Sequence, residues 1–61
     1  MEMTFEEWMQ KVNAALVDLC GLEADDLPDW MYADAYEEER EDFAEIAREV
    51  IEDAGYDPDE F

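Results

Sequence analysis

Residues 4–22 read TFEEWMQKVNAALVDLCGL and predict one amphipathic helix over 5–20. The large apolar side chains share the spacing of a single helix face, and they are Phe5, Trp8, Met9, Val12, Leu16 and Leu19. Thr4 and Glu7 form a capping box, which provides partners for backbone N–H groups at the start of the helix. Gly21 is positioned to end the helix, because glycine adopts the left-handed backbone conformation without steric cost.

A second helix is predicted over 38–54 from an apolar pattern near the C-terminus. The pattern again has the spacing of one helix face, and its members are Phe43, Ile46, Ala47, Val50, Ile51 and Ala54. Gly55 provides the stop, and Tyr56 is positioned to return onto the last turn in a Schellman motif. The start is not sharply marked, because residues 37–42 read EEERED and carry no clear capping signal.

The segment between these two helices is expected to close the fold. Pro28 discourages a helical conformation at Leu27, and Asp29 can then cap a short helix or turn over 29–36. The sequence therefore predicts an all-α fold, a small helical hairpin whose open side is covered by the short element. The predicted core combines both helical patterns with connector residues: Phe5, Trp8, Met9, Val12, Leu16, Leu19, Leu27, Trp30, Phe43, Ile46, Val50 and Ile51.

Length and charge limit the classes of function. A single domain over 1–61 is expected, because 61 residues cannot enclose a second core, and the tail over 57–61 is expected to be mobile. A hydrophobic fraction of 49% favours folding over disorder. The 21 acidic residues outnumber 3 basic ones, which gives a formal charge of −18. Such a charge repels phosphate groups, so direct binding to nucleic acid is excluded and binding to anionic membranes is disfavoured.

The residue content argues against catalysis and against a metal centre. The chain has no His and no Ser, and a hairpin of this size offers little room for a substrate pocket. We therefore predict no enzymatic activity, no catalytic residue and no cofactor. Acidic clusters at 25–29 and 57–60 lack the EF-hand pattern, so no dedicated metal site is expected.

The single cysteine, Cys20, bears on the cellular compartment. One cysteine cannot form an internal disulfide, whereas small secreted domains usually carry several. The first residues read MEMTFEE and have neither the basic region nor the apolar region of a signal peptide. No apolar run has the length that a membrane-spanning helix needs. A cytoplasmic location is therefore expected.

Carboxylates dominate one face of the predicted second helix. Five of them follow one another at intervals of three or four residues, and they are Glu38, Asp42, Glu45, Glu49 and Asp53. Only Arg40 and Arg48 lie nearby in sequence, so repulsion between like charges is expected to lower stability and to raise carboxylate pKa values. A solvated helix face is one interpretation of this acidic stripe, and a binding role for its negative charge is the other.

The binding interpretation is charge mimicry of nucleic acid. A basic cleft that accommodates rows of phosphates also attracts a rigid row of carboxylates. The stripe thus predicts a small acidic module that blocks a basic surface of a nucleic-acid-handling protein. Tyr32 is the predicted apolar centre of the contact, with Met31 as a second candidate, because aromatic residues and methionine are enriched in interface cores. The module is expected to be a monomer or a weak homodimer.

Solvent adaptation is the alternative explanation of the charge. Proteins of salt-loving cells carry an excess of Asp and Glu, and this chain has only one lysine, Lys11. On this interpretation the acidity reflects the solvent and implies no partner related to nucleic acid. Folding measured against KCl concentration separates the two interpretations, because salt screens the self-repulsion of a halophilic chain.

Several short segments resemble a family of small acidic proteins from bacteria and phages. They are Glu6-Glu7-Trp8-Met9, Gly21-Leu22, Asp26-Leu27-Pro28-Asp29, Asp34-Ala35-Tyr36, Ala47-Arg48-Glu49 and Ala54-Gly55-Tyr56. The chain departs from the family after Tyr36, where the family has a glycine-containing turn and this sequence has continuous charge. The resemblance implies an origin in a phage or mobile element, and it carries over no activity and no site residues.

Overall fold

The computed structural model describes residues 3–60 and shows an all-α fold. The helices are α1 over Phe5–Cys20, α2 over Tyr32–Glu37 and α3 over Phe43–Asp53, with short 3-10 turns at Ala24–Asp26 and Pro58–Glu60. Helix α1 packs along α3, and α2 packs against α1. No strand occurs within the described residues. The predicted helical hairpin closed by a short helix is confirmed.

Helix α1 begins and ends as predicted. The Thr4 hydroxyl accepts a hydrogen bond from the Glu7 backbone N–H at 3.1 Å, and it donates to the Glu7 carboxylate at 3.2 Å. Gly21 has a φ of 77°, and its N–H donates to the carbonyl oxygen of Val17. Both ends are therefore determined by residues within one turn of the helix.

The start of α3 differs from the prediction. The helix begins at Phe43 and not at residue 38, and the N–H of Ile46 donates to the Asp42 carbonyl at 2.9 Å. Glu39 has a φ of 58°, in the left-handed region, which turns the chain between α2 and α3. The Arg40 carbonyl accepts a hydrogen bond from the Trp8 indole Nε1 at 2.7 Å. In a continuous helix this carbonyl would instead accept from the backbone N–H four residues later.

The end of α3 forms the predicted Schellman motif. Gly55 has a φ of 95°, its N–H donates to the Glu52 carbonyl, and the Tyr56 N–H donates to the Ile51 carbonyl. Beyond it, residues 58–60 form a short 3-10 turn. Phe61, the last residue of the tail that was expected to be mobile, lies outside the described residues.

The connector helix α2 lies slightly later than predicted and is fastened to α1 by aromatic contacts. Its N-cap position is occupied by Met31, without a side-chain capping bond, and not by Asp29 as expected. The Tyr36 hydroxyl donates to the Met3 carbonyl at 2.6 Å. The Tyr36 ring meets the Trp8 ring edge-on, with centroids 5.8 Å apart. These contacts hold α2 over the start of α1.

The core agrees with the prediction for its largest members. The buried apolar residues are Trp8, Val12, Leu16, Leu27, Ala35, Ile46, Ala47, Val50 and Ile51. Met9, Leu19, Trp30 and Phe43 are partly buried and pack against this cluster. Phe5 was wrongly assigned to the core, since it is 42% exposed, although its ring stacks on Trp8.

Candidate protein-binding surface

The five carboxylates of the predicted stripe do not lie on one helix. Glu38 is the C-cap residue of α2, and Asp42 precedes α3. Glu45, Glu49 and Asp53 remain on α3, spaced by one turn. The turn around Glu39 and Arg40 divides the row, because the backbone leaves the helical conformation between Glu37 and Phe43. The prediction of one continuous acidic stripe is therefore wrong.

Arg40 binds two of these carboxylates. Its Nη2 lies 2.7 Å from Asp42 Oδ2 and 2.5 Å from Glu49 Oε2. Two further contacts, from Nε to Asp42 and from Nη1 to Glu49, make both pairs bidentate. Hydrogen bonds from Arg40 hold the pKa of Asp42 below its usual range. Crowding was expected to raise carboxylate pKa values, whereas the pKa of Asp42 is lowered, because its hydrogen bonds with Arg40 outweigh the opposing effect of burial.

Met31 lies between two shallow acidic depressions. It is 58% exposed, more than any other large apolar side chain in the described part of the protein. One depression is lined by Trp30, Met31, Glu49, Glu52 and Asp53, and the other by Met31, Asp34, Glu37 and Glu38. We call this surface the Met31 face. It places an exposed methionine among carboxylates contributed by two helices.

The Met31 face contains three of the five predicted carboxylates and leaves out two, and it also leaves out Tyr32. Glu38, Glu49 and Asp53 line its depressions, whereas Asp42 and Glu45 line neither. The sequence argument missed its other acids, which are Asp34, Glu37 and Glu52. The spacing of 34, 37 and 38 marks one face of a helix, but this signal is useful only once α2 is known to extend to Glu37.

Helix ends add to the negative charge of this surface. Glu52 and Asp53 lie in the last turn of α3, and Glu37 lies in the last turn of α2. Neither helix has a basic residue in its last turn. Since the C-terminal end of a helix carries partial negative charge, the backbone and the carboxylates act in the same direction here. A positively charged ligand is the favoured counterpart.

Tyr32 faces inward, contrary to its predicted role as an exposed contact. Its side chain packs against the core, with the ring edge-on to Trp30 at a centroid distance of 5.3 Å. The hydroxyl is buried and has no hydrogen-bond partner among the described residues. Burial, followed by the charges of Asp29 and Asp25, raises the pKa of this hydroxyl. The exposed apolar residue at this place is its neighbour Met31.

Replacing Tyr32 by phenylalanine is expected to raise the free energy of unfolding by about 1 kcal/mol, because it removes an unsatisfied buried hydroxyl. The raised pKa also predicts that the parent loses stability as pH rises above about 10, where only the unfolded chain ionises this group. Urea unfolding of both proteins at neutral and alkaline pH measures the two effects. Tyr36→Phe is the matched control and should destabilise, because Tyr36 donates to Met3.

No group of three or more potential metal ligands lies together in residues 3–60. The Cys20 thiol is half-buried and donates to the Leu16 carbonyl at 3.3 Å. None of the described helices combines the length and the apolar character needed to cross a membrane.

Comparison of the chain with models of protein families, with curated proteins and with solved structures finds no match. The resemblance to small acidic proteins of bacteria and phages therefore stays a prediction.

Proposed function

We propose that this protein is a small acidic binding module that occupies the basic surface of a nucleic-acid-handling protein by charge mimicry. The observation that carries the proposal is the Met31 face, which combines an exposed apolar side chain with carboxylates from two helices. In this proposal the protein acts by occupation and not by catalysis, in the cytoplasm and as the product of a phage or mobile element.

The pairing of charges within the protein supports this role. Of the carboxylates on the Met31 face, only Glu49 forms an ion pair with a basic side chain of the described residues. The remaining acids are exposed and keep their charge available for a partner. Complementary charge steers association and selects partners of the opposite sign. A cleft lined with lysine and arginine fits this requirement.

The rigid attachment of the acids also supports mimicry. The Tyr36 hydroxyl of α2 donates to the Met3 carbonyl just before α1, and the Trp8 indole of α1 donates to the Arg40 carbonyl in the turn before α3. The helices that carry the acids are therefore held in a packed structure, unlike the backbone of a disordered acidic tail. A preorganised surface loses less conformational entropy when it binds.

A matched pair of charge variants tests the proposed function. The test variant carries Glu38→Gln, Glu52→Gln and Asp53→Asn on the Met31 face. The control variant carries Glu6→Gln, Asp18→Asn and Asp25→Asn, which change exposed acids elsewhere by the same total charge. We expect the test variant to associate about tenfold more slowly with its partner and with a weaker dependence on salt, because rim charges act mainly on the association rate.

Partners are obtained by capture from a bacterial lysate on the immobilised parent protein. Nucleic-acid-binding proteins are expected among them, and short duplex DNA should release these proteins at constant ionic strength. Association rates are then measured by surface plasmon resonance with the purified partner. The proposal fails if the test variant and the control variant bind that partner alike, or if duplex DNA releases nothing.

A further inference from the structure

We propose that Met31 is the apolar anchor of the contact, and that its ligand is a basic segment in which one apolar side chain lies between two cationic ones. In this arrangement the apolar side chain packs on Met31, and each of the two acidic depressions receives a lysine or arginine. The inference rests on the proposed function and deepens it, since it defines the order of side chains that a partner must present.

Packing within residues 3–60 leaves the Met31 side chain exposed. Within residues 3–60, the other exposed large apolar side chains are Phe5, Val17 and Tyr56. The Phe5 ring already has partners within the protein, since it contacts the rings of Trp8 and Tyr36. Val17 lines neither acidic depression, whereas Met31 lines both. Its side chain is unbranched and adaptable, a property that suits methionine to binding surfaces.

Met31 stands at a helix position that usually has a polar residue. It is the N-cap residue of α2, where Ser, Thr, Asp or Asn would accept a hydrogen bond from the first turn. Methionine makes no such bond here. The sequence therefore has an exposed apolar side chain at a position where helix stability favours a polar one. A contact with a partner accounts for both the exposed apolar side chain and the lack of a capping side chain at this position.

Three kinds of ligand could cover Met31, and they differ in how their charge suits the surrounding carboxylates. A second copy of the chain would bring another formal charge of −18 against the same carboxylates. An apolar ligand without charge would cover Met31 and leave the surrounding carboxylates partly desolvated and unpaired. A segment with the order cation, apolar residue, cation pairs the acids on both sides while it covers the methionine. This segment is the occupant that the surface favours.

Two synthetic helical peptides test the inference. The first carries arginines on either side of a leucine at helical spacing, and the second has asparagine in place of the leucine. The parent protein is expected to bind the leucine peptide about fivefold to tenfold more tightly than the asparagine peptide. For Met31→Ser this ratio should fall to about one, and binding of the asparagine peptide should be unchanged. Val17→Ser is the matched control and should keep the ratio of the parent.

The methyl NMR signal of Met31, assigned by its loss in Met31→Ser, reports the contact directly. It should shift with the leucine peptide and not with protein concentration alone. A ratio of one for the parent, an unchanged ratio in Met31→Ser, or a shift produced by self-association overturns the anchor and leaves the proposed function standing. If neither basic peptide binds the parent at low ionic strength, the proposed function fails as well.

Discussion

Replacing Trp8 by alanine is expected to lower the free energy of unfolding by about 3–5 kcal/mol and to leave the chain largely unfolded. Trp8 is fully buried, and its ring contacts those of Phe5, Tyr36 and Phe43. Its indole also holds the Arg40 carbonyl at the turn before α3. A domain of this size has only a few kcal/mol of stability to lose, so one such cavity removes most of it.

Urea unfolding followed by far-UV circular dichroism measures this effect. Trp30→Ala is the matched control, because Trp30 is only partly buried and makes no hydrogen bond with its indole in the described structure. The loss of unfolding free energy in Trp30→Ala should be less than half of the loss in Trp8→Ala. Trp8→Phe keeps most of the ring volume and removes the indole N–H, so it should cost about 1–3 kcal/mol. An equal loss of unfolding free energy in the two alanine variants would contradict the prediction that Trp8 contributes more to stability than Trp30.

Replacing Arg40 by alanine is expected to lower the free energy of unfolding by about 1 kcal/mol, because it removes the cation that two bidentate and partly solvent-exposed carboxylates share. The Arg40 side chain is 25% exposed, and it contacts both Asp42 and Glu49. Arg48→Ala is the control with the same change of charge. Arg48 makes one 3.4 Å contact with Asp59, an exposed pair, so its loss should cost less than about 0.5 kcal/mol.

The pH dependence of this difference follows from the lowered pKa of Asp42. A group whose pKa is lower in the folded state contributes stability above its unfolded pKa, and the contribution is lost as pH falls through the folded pKa. The gap in unfolding midpoint between the parent and Arg40→Ala should therefore be constant near neutral pH and should shrink below about pH 4. A gap that persists fully in acid, where Asp42 is protonated, would mean that Arg40 acts through packing and not through its ion pairs.

The candidate site could be predicted from the sequence only in part. The abundance of acids and the presence of an apolar centre in the connector were recognised, and Glu38, Glu49 and Asp53 lie on the Met31 face. The prediction that Tyr32, in preference to Met31, is the exposed residue was wrong. Adjacent residues in a short irregular segment have no fixed periodicity, so their orientation depends on what packs over them.

Elements with local signals could be predicted from the amino-acid sequence. Helix α1 and the end of α3 depend on apolar spacing, on the Thr4 cap and on Gly21 and Gly55, all of which act within a turn or two. The start of α3 and the set of acids that share a surface depend on packing between distant parts of the chain. The sequence of residues 38–42 is compatible with a helix and with a turn. The turn is stabilised by the Trp8 indole, which donates to the Arg40 carbonyl 32 positions away in the sequence. A contact between such distant residues forms only when α1 and α3 pack together, because local spacing carries no information about which backbone group a distant side chain will bind.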